Sequence, residues 1–253
     1  MPNTEHALSY QLKVRRRDFP GYRGYLGEQE YRLLKKVIVR LLRPYAGPDS
    51  SLLDLACWDG EATAFYGKEL GISRLHGIDI FDSQIEKARA RGVDVVKCDL
   101  ETSDFPHPDG TFDLAVANQV FEHLKQIYRP LSELHRVLKP GGLLVFSVPN
   151  LAALHCRLQL LFGRQPSTIK LFEAHVRAFT PSALRPFLTF NGLFSIQAFT
   201  GSGYYPFPPL ISERLCRIFK STAVYQLYVL RKESDSRPNW QNEILRREVQ
   251  STF

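Results

Sequence analysis

Short apolar segments alternate with segments of helical spacing between residues 51 and 150, and this alternation restricts the fold more than any other feature. "SLLDLA" is followed by "EATAFYGKEL", and "RLHGIDI" by "FDSQIEKARARG". A short apolar run bounded by a turn is typical of a buried strand, whereas apolar residues three or four apart are typical of a helix. The alternation continues through "VDVVKCDL", "TFDLAVANQV", "YRPLSELHRVLKPGG" and "LLVFSVPN". It predicts an α/β fold with a largely parallel sheet covered on both faces.

The pattern changes after Asn150. "LAALHCRLQLLFG" is apolar with one basic residue, and "TPSALRPFL" is predicted as a helix with Thr180 as its cap and Pro181 at its first position. "FSIQAFTG" and "AVYQLYVLRK" are predicted as two late strands, with "PPLISERLCRIF" as a helix between them. Gly141 and Gly142 are expected to end the helix that precedes "LLVFSVPN". Seven strands follow from these assignments.

The length of 253 residues favours one elaborated domain. We expect an N-terminal cap or substrate region over 1–49, the main domain over 50–231 with an insertion near 151–175, and a polar C-terminal tail over 232–253. The N-terminus has no apolar signal core, and no apolar run approaches the roughly 18–20 residues that span a bilayer. A cytoplasmic protein is therefore expected. The four cysteines lie far apart, which favours free thiols over a zinc site or disulfides.

Charge is distributed unevenly along the chain. Counting Lys and Arg against Asp and Glu, residues 1–50 carry +5, residues 51–150 carry −5 and residues 151–253 carry +7. An acidic middle suits a cofactor that needs no phosphate clamp. Basic flanks suit an anionic substrate, a membrane surface or nucleic acid, and a solvated basic surface explains them equally well.

The stretch "LLDLACWDGEATAFYG" occupies the first strand-to-helix turn of the predicted sheet. Ligands of open α/β sheets bind beyond the carboxyl ends of the strands, and this turn approaches them most closely. Glycine lets a ligand approach the backbone without a Cβ, but here Ala56 and Trp58 precede Gly60. Ala56 is a mild compromise and Trp58 a serious one for a tightly wrapped pyrophosphate. A dinucleotide is therefore disfavoured.

Carboxylates follow the next two predicted strands. Asp79 ends "LHGID", and Asp99 follows "VVKC". A carboxylate after the second strand can accept hydrogen bonds from ribose hydroxyls, and one after the third can accept from an adenine amino group. Either aspartate alone could instead cap a helix. Together with Asp54 and Gly60 at the first turn, they predict a cofactor site.

These motifs, with "FPHPDGTFDLAVANQVFEHL", "LHRVLKPGGLLVFSVPN" and "HVRAFTPSALRPFL", resemble the class I S-adenosylmethionine-dependent methyltransferases over about residues 50–200. The group includes ubiquinone-biosynthesis O-methyltransferases and many enzymes that modify small molecules and glycans. The resemblance implies a Rossmann-like, mostly parallel seven-stranded sheet with an added helical cap, and S-adenosylmethionine as cofactor. It implies that the methionine end is lined by Asp54, Ala56 and Gly60, that Asp79 holds the ribose, and that Asp99 with Leu100 reads the adenine. The predicted cofactor-binding set is completed by Trp58, Ile80 and Asn118.

Candidate catalytic residues follow the fourth strand in "NQVFEHL". Glu122 and His123 lie where the chain leaves the sheet, and an imidazole can deprotonate a hydroxyl near neutral pH. A role at the start of a helix is the alternative for this pair. His175, in "HVRAFT", is a third candidate, although it could simply bond to the backbone. Some related quinone O-methyltransferases bind a metal through two glutamates and a histidine in this segment, but the first matching position here is Gln119, so no metal site is expected.

The sequence therefore predicts a methyltransferase that acts, preferably at oxygen, on a small molecule, a lipid-linked intermediate or a glycan. One alternative is a nucleic-acid methyltransferase, which is less favoured because "ANQV" lacks the Asn/Asp-Pro-Pro-aromatic motif of many base-amino methylating enzymes. Another is a cofactor-binding protein without catalysis, which Trp58 suggests. The basic residues of 1–50 and the segment "LAALHCRLQLLFGR" predict a peripheral membrane contact, with a roof over the active site as the alternative. The sequence indicates no oligomeric state.

Overall fold

The structure is a computed structural model that describes residues 25–171 and 174–233. Its helices are α1 (Tyr25–Leu42), α2 (Glu61–Leu70), α3 (Asp82–Ala90), α4 (Tyr128–Val137), α5 (Leu154–Leu161), α6 (Pro181–Leu188) and α7 (Pro209–Ile218). Its strands are β1 (Ser51–Leu55), β2 (Arg74–Asp79), β3 (Asp94–Lys97), β4 (Phe112–Asn118), β5 (Leu138–Pro149), β6 (Phe194–Ser202) and β7 (Tyr225–Lys232). Single 3-10 turns lie at Phe121–His123, Phe190–Gly192 and Lys220–Thr222.

The strands form one sheet in the order β3-β2-β1-β4-β5-β7-β6. The first five strands run parallel to their neighbours, whereas β7 runs antiparallel to both β5 and β6. Asp54 of β1 lies opposite Gly77 of β2 and Val116 of β4, which places the carboxyl ends of these strands at one edge. The predicted mostly parallel, seven-stranded α/β sheet is confirmed.

Helices cover both faces of the sheet because each carries an apolar stripe. On one face, Leu131 and Leu134 of α4 and Leu184 of α6 pack with the inward side chains of β1, β4 and β5. On the other face, α1 and α2 pack against the opposite side of the same strands. Full burial of each such side chain stabilises the fold by about 1.5–3 kcal/mol.

Helix α1 belongs to this second layer. Leu34, Ile38 and Leu42 recur every four residues and are almost completely buried, so they form one continuous face. Lys35 adds an ion pair of 2.7 Å to Glu61 at the start of α2. Residues 33–42 of the predicted cap thus share a core with the sheet. Residues 1–24 lie outside the described part of the chain, as does the tail from 234 onward. The substrate role of 1–49 and the boundaries of the three parts stay predictions.

The glycine pair after α4 does not end the helix, so that expectation is wrong. Helix α4 ends at Val137, and β5 begins at Leu138. The register with β4 jumps from the pair Phe112 and Leu138 to the pair Leu114 and Leu143, and the glycines lie inside this irregularity. A Cβ on Gly142 would come within 2.8 Å of the Lys139 carbonyl oxygen. Glycine is therefore needed here for a close backbone approach within a bulged strand.

Other local expectations hold. The Thr180 side chain accepts a hydrogen bond of 3.3 Å from the Ala183 amide, and Pro181 is the first residue of α6. All four cysteines are buried and form no disulfide. Within residues 25–171 and 174–233, no helix has the length and apolar character required to cross a bilayer.

Candidate cofactor and acceptor site

The turn between β1 and α2 keeps a glycine-like backbone without the glycines. Ala56 and Trp58 both have φ of 53°, and Gly60 has φ of 74°. Left-handed φ is uncommon for residues with a Cβ and costs of the order of 1 kcal/mol or more each. A Cβ at Gly60 would lie 2.8 Å from Ala88, so this position cannot carry a side chain without displacing α3. The loop therefore has the path of a ligand-binding turn, and Ala56 and Trp58 adopt that path under strain.

Asp54 lies beneath this turn with only 4% of its surface exposed. Thr63, in the first turn of α2, donates a hydrogen bond of 2.5 Å to its Oδ2 atom. Burial raises the pKa of Asp54 to about 7, the Thr63 hydrogen bond opposes this rise, and the charge of Asp79 adds to it. Asp54 is therefore expected to be partly protonated near neutral pH.

Asp79 connects the loops that follow β1 and β2 through hydrogen bonds. Its Oδ2 accepts a hydrogen bond of 2.7 Å from the Trp58 amide, and its Oδ1 accepts from the amides of Ile80 and Phe81 at 2.8 and 3.1 Å. Burial raises the pKa of Asp79, while these three amides stabilise its charged form. A carboxylate offers about four acceptor positions, so room remains for a ribose hydroxyl. Substituting Asp79 would disturb the turn as well as any ribose contact.

The Trp58 indole lies at the rim of the same edge. Its residue is 38% exposed, and its ring meets that of Phe81 edge to face, with 5.8 Å between centroids. The side chain therefore lies above the end of β2 and outside the core. This placement suits the expectation that Trp58 lies beside the cofactor, which stays a prediction.

The predicted adenine end follows β3. Asp99 lies two residues beyond that strand, is partly exposed, and accepts a hydrogen bond of 2.9 Å from the Glu101 amide. The Leu100 side chain is buried in the core on one face of the sheet, so its backbone is the part that could reach a ligand. Both roles stay predictions.

A second strained turn follows β4. Asn118 accepts a hydrogen bond of 2.6 Å from the Ser147 hydroxyl, and the next residue, Gln119, has φ of 57°. The Gln119 amide also donates to the Ser147 hydroxyl at 3.3 Å. The Gln119 side chain is thus directed toward β5. Asn118 itself remains partly exposed at the edge of the sheet.

The three predicted catalytic residues lie together. Glu122 is 1% exposed, and its Oε1 lies 3.8 Å from His123 Nε2. The amides of Val176 and Arg177 donate to the Glu122 carbonyl oxygen at 2.8 and 3.1 Å, which brings the preceding His175 to the same place. The rings of His123 and His175 are 4.8 Å apart between centroids. Their proximity could not be derived from the sequence, since 51 positions separate the two histidines.

Hydrogen bonds to the backbone orient both imidazoles. His123 Nδ1 lies 3.0 Å from the Ala174 carbonyl oxygen, and His175 Nδ1 lies 2.9 Å from the Thr168 carbonyl oxygen. A carbonyl oxygen only accepts, so each Nδ1 carries hydrogen, and Nε2 is the basic nitrogen of each neutral ring. Nε2 of His123 can then take up a proton beside the Glu122 carboxylate, which would stabilise the resulting imidazolium.

The same three side chains could also hold a cation. Ligand atoms of Glu122, His123 and His175 lie within 4.8 Å of one another. The sequence expectation of no metal depended on Gln119 at the first matching position, whereas the fold adds His175 to Glu122 and His123. The arrangement thus permits a proton acceptor or a cation ligand set, and the absence of a metal stays a prediction.

Several contacts of the site are not evident from the sequence. Thr63 was not singled out, although its place one helical turn after Gly60 is a usable signal for a partner to Asp54. The Arg177 guanidinium donates to the carbonyl oxygens of Leu124 and Lys125. It therefore fastens the His175 segment to the turn after β4. Of the basic residues of 1–50 that predict a membrane contact, those before position 25 lie outside the described residues.

The sheet has seven strands, and the antiparallel β7 lies between β5 and β6. Acidic residues lie at the carboxyl ends of its first strands. Together these features define the class I S-adenosylmethionine-dependent methyltransferase fold. The resemblance seen in the sequence is confirmed. Residues 53–146 match the model of the methyltransferase domain family.

Known proteins show the same relationship. The chain is 37% identical over 100 residues to trans-aconitate 2-methyltransferase of Rhizobium rhizogenes, covering 39% of this chain and 38% of that protein. It is 32% identical over 167 residues to the human mitochondrial ubiquinone biosynthesis O-methyltransferase, covering 62% and 44%. The chain thus spans less than half of the length of both relatives. An S-adenosylmethionine-dependent methyltransferase structure from Mesorhizobium loti matches with a TM-score of 0.54 and 20% identity, covering 78% of this chain and 96% of that one.

Proposed function

We propose that this protein transfers a methyl group from S-adenosylmethionine to an oxygen of an acceptor molecule. The observation that carries the proposal is the edge formed by Asp54, Asp79 and Asp99 around the strained first turn. Three carboxyl groups and a turn without a glycine cradle suit a cationic ligand with hydroxyl and amino groups. They do not suit a polyanion such as a pyrophosphate. S-adenosylmethionine has no phosphate and carries a positive sulfonium, so the residues present fit it.

Its bound form would supply a methyl group on a good leaving group. The protein would contribute mainly by holding the acceptor in line with that methyl group, since orientation alone can supply much of the rate. A hydroxyl acceptor must also lose its proton when the new carbon–oxygen bond forms. His123 Nε2 would receive that proton, with Glu122 stabilising the imidazolium and His175 orienting the acceptor.

The proposed acceptor is a small molecule, a lipid-linked intermediate or a glycan. The named relatives methylate small molecules according to their names, which supports this range without selecting within it. We propose a cytoplasmic location, with contact at a membrane surface as argued below. A nucleic-acid methyltransferase is the less favoured alternative, and a cofactor-binding protein without catalysis is the second.

Cofactor binding can be tested with two aspartates near opposite ends of β3. Asp99→Asn, two residues beyond the carboxyl end of β3, should weaken S-adenosylmethionine binding by roughly tenfold, because a hydrogen bond to a charged group becomes a weaker neutral one. Asp94→Asn, at the other end of the same strand and exposed, is the matched control and should bind normally. Calorimetry would measure both affinities. Equal affinities in the two variants would remove Asp99 from the site.

Catalysis is tested separately by incubating the protein with methyl-labelled cofactor and an extract of metabolites and lipids. A labelled small product that survives nuclease treatment would support the proposal and identify the acceptor. Label in nucleic acid, with binding that weakens steeply as salt rises, would support the first alternative instead. Normal cofactor binding without transfer to any fraction would support the second.

A further inference from the structure

Exposed apolar side chains are concentrated on two segments beside the candidate site. Of the sixteen large apolar residues that are exposed within the described chain, six lie in 154–171 and six in 205–219. Leu161 and Phe162 are 76% and 75% exposed, and Leu210 and Ile218 are 67% and 73% exposed. Single exposed leucines are ordinary, but a contiguous set of this size marks a binding surface.

The two segments lie side by side. The rings of His155 in α5 and Tyr205 before α7 are 5.8 Å apart between centroids. Asn150, just before α5, donates hydrogen bonds of 2.8 and 2.9 Å to the carbonyl oxygens of Ser221 and Ala223, just after α7. We call the exposed residues of 154–171 and 205–220 the α5–α7 surface.

Helix α5 explains why so much of this surface faces outward. It has eight residues, and Cys156 is the one that the fold buries. Leucines occupy its other faces, including Leu154, Leu158 and Leu160, each more than 40% exposed. An eight-residue helix gains little from propensity alone, so apolar residues on its outer faces are best explained by contact with an apolar phase.

The charge of this surface identifies the occupant. The segments 154–171 and 205–220 contain one acidic residue, Glu213. They contain six basic residues, namely Arg157, Arg164, Lys170, Arg214, Arg217 and Lys220. A second copy of the chain would place like charges against each other across a twofold axis. Residues 1–24, with five basic and two acidic residues, carry the same sign and are equally unsuited to cover it.

We propose that the α5–α7 surface rests on an anionic lipid bilayer. The leucine and phenylalanine side chains would enter the boundary between headgroups and acyl chains, and the arginine and lysine side chains would pair with lipid phosphates. The attachment is peripheral. This inference deepens the proposed function by naming the surface from which the acceptor is taken, but binding to the bilayer itself does not depend on methyl transfer.

Contacts connect this surface to the catalytic cluster. The buried Cys156 of α5 lies 3.6 Å from the Thr168 hydroxyl, and the Thr168 carbonyl oxygen is bonded by His175 Nδ1. Thr168 therefore contacts both the lipid-facing helix and His175, and the two residues after His175 bond to Glu122. An acceptor that partitions into the bilayer would meet the cluster from this side, which favours the lipid-linked member of the proposed acceptor range.

The test is flotation of the full chain with vesicles, in the absence of cofactor and acceptor. The protein should float with vesicles of phosphatidylcholine mixed with phosphatidylglycerol, and it should stay behind with phosphatidylcholine alone or at high salt. Arg164→Glu should lower the partition coefficient by roughly fivefold or more, the expected effect of a surface charge. Leu161→Ser with Phe162→Ser should lower it by at least about tenfold, because both side chains leave the apolar phase.

Matched controls lie at the amino ends of the strands, opposite the candidate site. Tyr45→Ser, 49% exposed before β1, and Arg74→Glu, exposed at the start of β2, should leave flotation unchanged. Equal flotation of wild-type protein with neutral and anionic vesicles, or normal flotation of the double variant, would overturn the proposal. So would failure to float combined with self-association that the double variant abolishes, since a second copy would then be the occupant. Cofactor affinity is measured in parallel without lipid. Normal affinity in a protein that does not float would overturn the membrane proposal and leave the proposed function intact.

Discussion

Replacing Asp54 by asparagine is expected to remove a proton-linked step from cofactor binding. With its pKa raised by burial to about 7, Asp54 should be about nine-tenths protonated at pH 6, about half at pH 7 and about one-tenth at pH 8. A cationic ligand at the turn above it favours the carboxylate and therefore expels the proton. Cofactor affinity should fall by up to about tenfold for each pH unit below 7.

Calorimetry in two buffers measures this proton directly. At pH 6.5 the observed binding enthalpy should differ between phosphate and Tris, because each buffer takes up the released proton with its own enthalpy. The difference should shrink at pH 8, where little proton remains to be released. Asp54→Asn keeps an oxygen for the Thr63 hydroxyl and should lose the buffer dependence. Identical enthalpies in the two buffers for the wild-type protein would refute the coupling.

The raised pKa of Asp54 also predicts how the stability of the ligand-free protein depends on pH. The folded pKa of Asp54 lies above its unfolded value, so its favourable contribution is complete below about pH 4 and is lost as pH rises through about 7. The loss is of the order of 4 kcal/mol, since three pKa units separate the two states. Denaturant unfolding of wild type and Asp54→Asn across this range should show a decline that the variant lacks.

Ala56→Gly should stabilise the fold by about 1 kcal/mol, because glycine adopts a left-handed φ without strain. The matched Ala64→Gly inside α2 should destabilise it by a similar amount. Denaturant unfolding would measure both, and a loss of stability in Ala56→Gly would contradict the strain argument. In a chain in which Trp240 is replaced by phenylalanine, S-adenosylmethionine should change the Trp58 fluorescence, and binding without a spectral change would place that indole away from the cofactor. His123→Gln should lower the maximal rate at unchanged cofactor affinity, and chelators should leave the wild-type rate unchanged. Loss of activity on chelation that added zinc or manganese restores would instead assign the histidine cluster to a metal.

The parallel half of the fold was predictable because its signals are local. Short apolar runs and helical spacing mark each βα unit, and Asp79 does end the second strand as predicted. The glycine pair after α4 misled the prediction because the same residues serve a helix end and a strand bulge. Only the register between β4 and β5 distinguishes the two uses.

The individual residues of the candidate site were predictable, but the proximity of His175 to Glu122 was not. Each aspartate follows its strand, so the edge of the sheet could be expected from spacing. The meeting of His175 with Glu122 depends on how the segment after α5 folds back, which no local pattern records. Left-handed φ at Ala56 and Trp58 was also hidden, since the sequence shows the missing glycines but not that the backbone keeps their conformation.

The position of β7 has a consequence for synthesis of the chain on the ribosome. Among the described strands, β6 pairs with β7 alone, and β7 also covers the edge of β5. While β6 emerges from the exit tunnel, it has no place in the sheet, and β5 presents an unpaired edge. Translation must pass Lys232 before both strands can join. A nascent chain stalled before that point would expose strand edges prone to aggregation and would depend on chaperones.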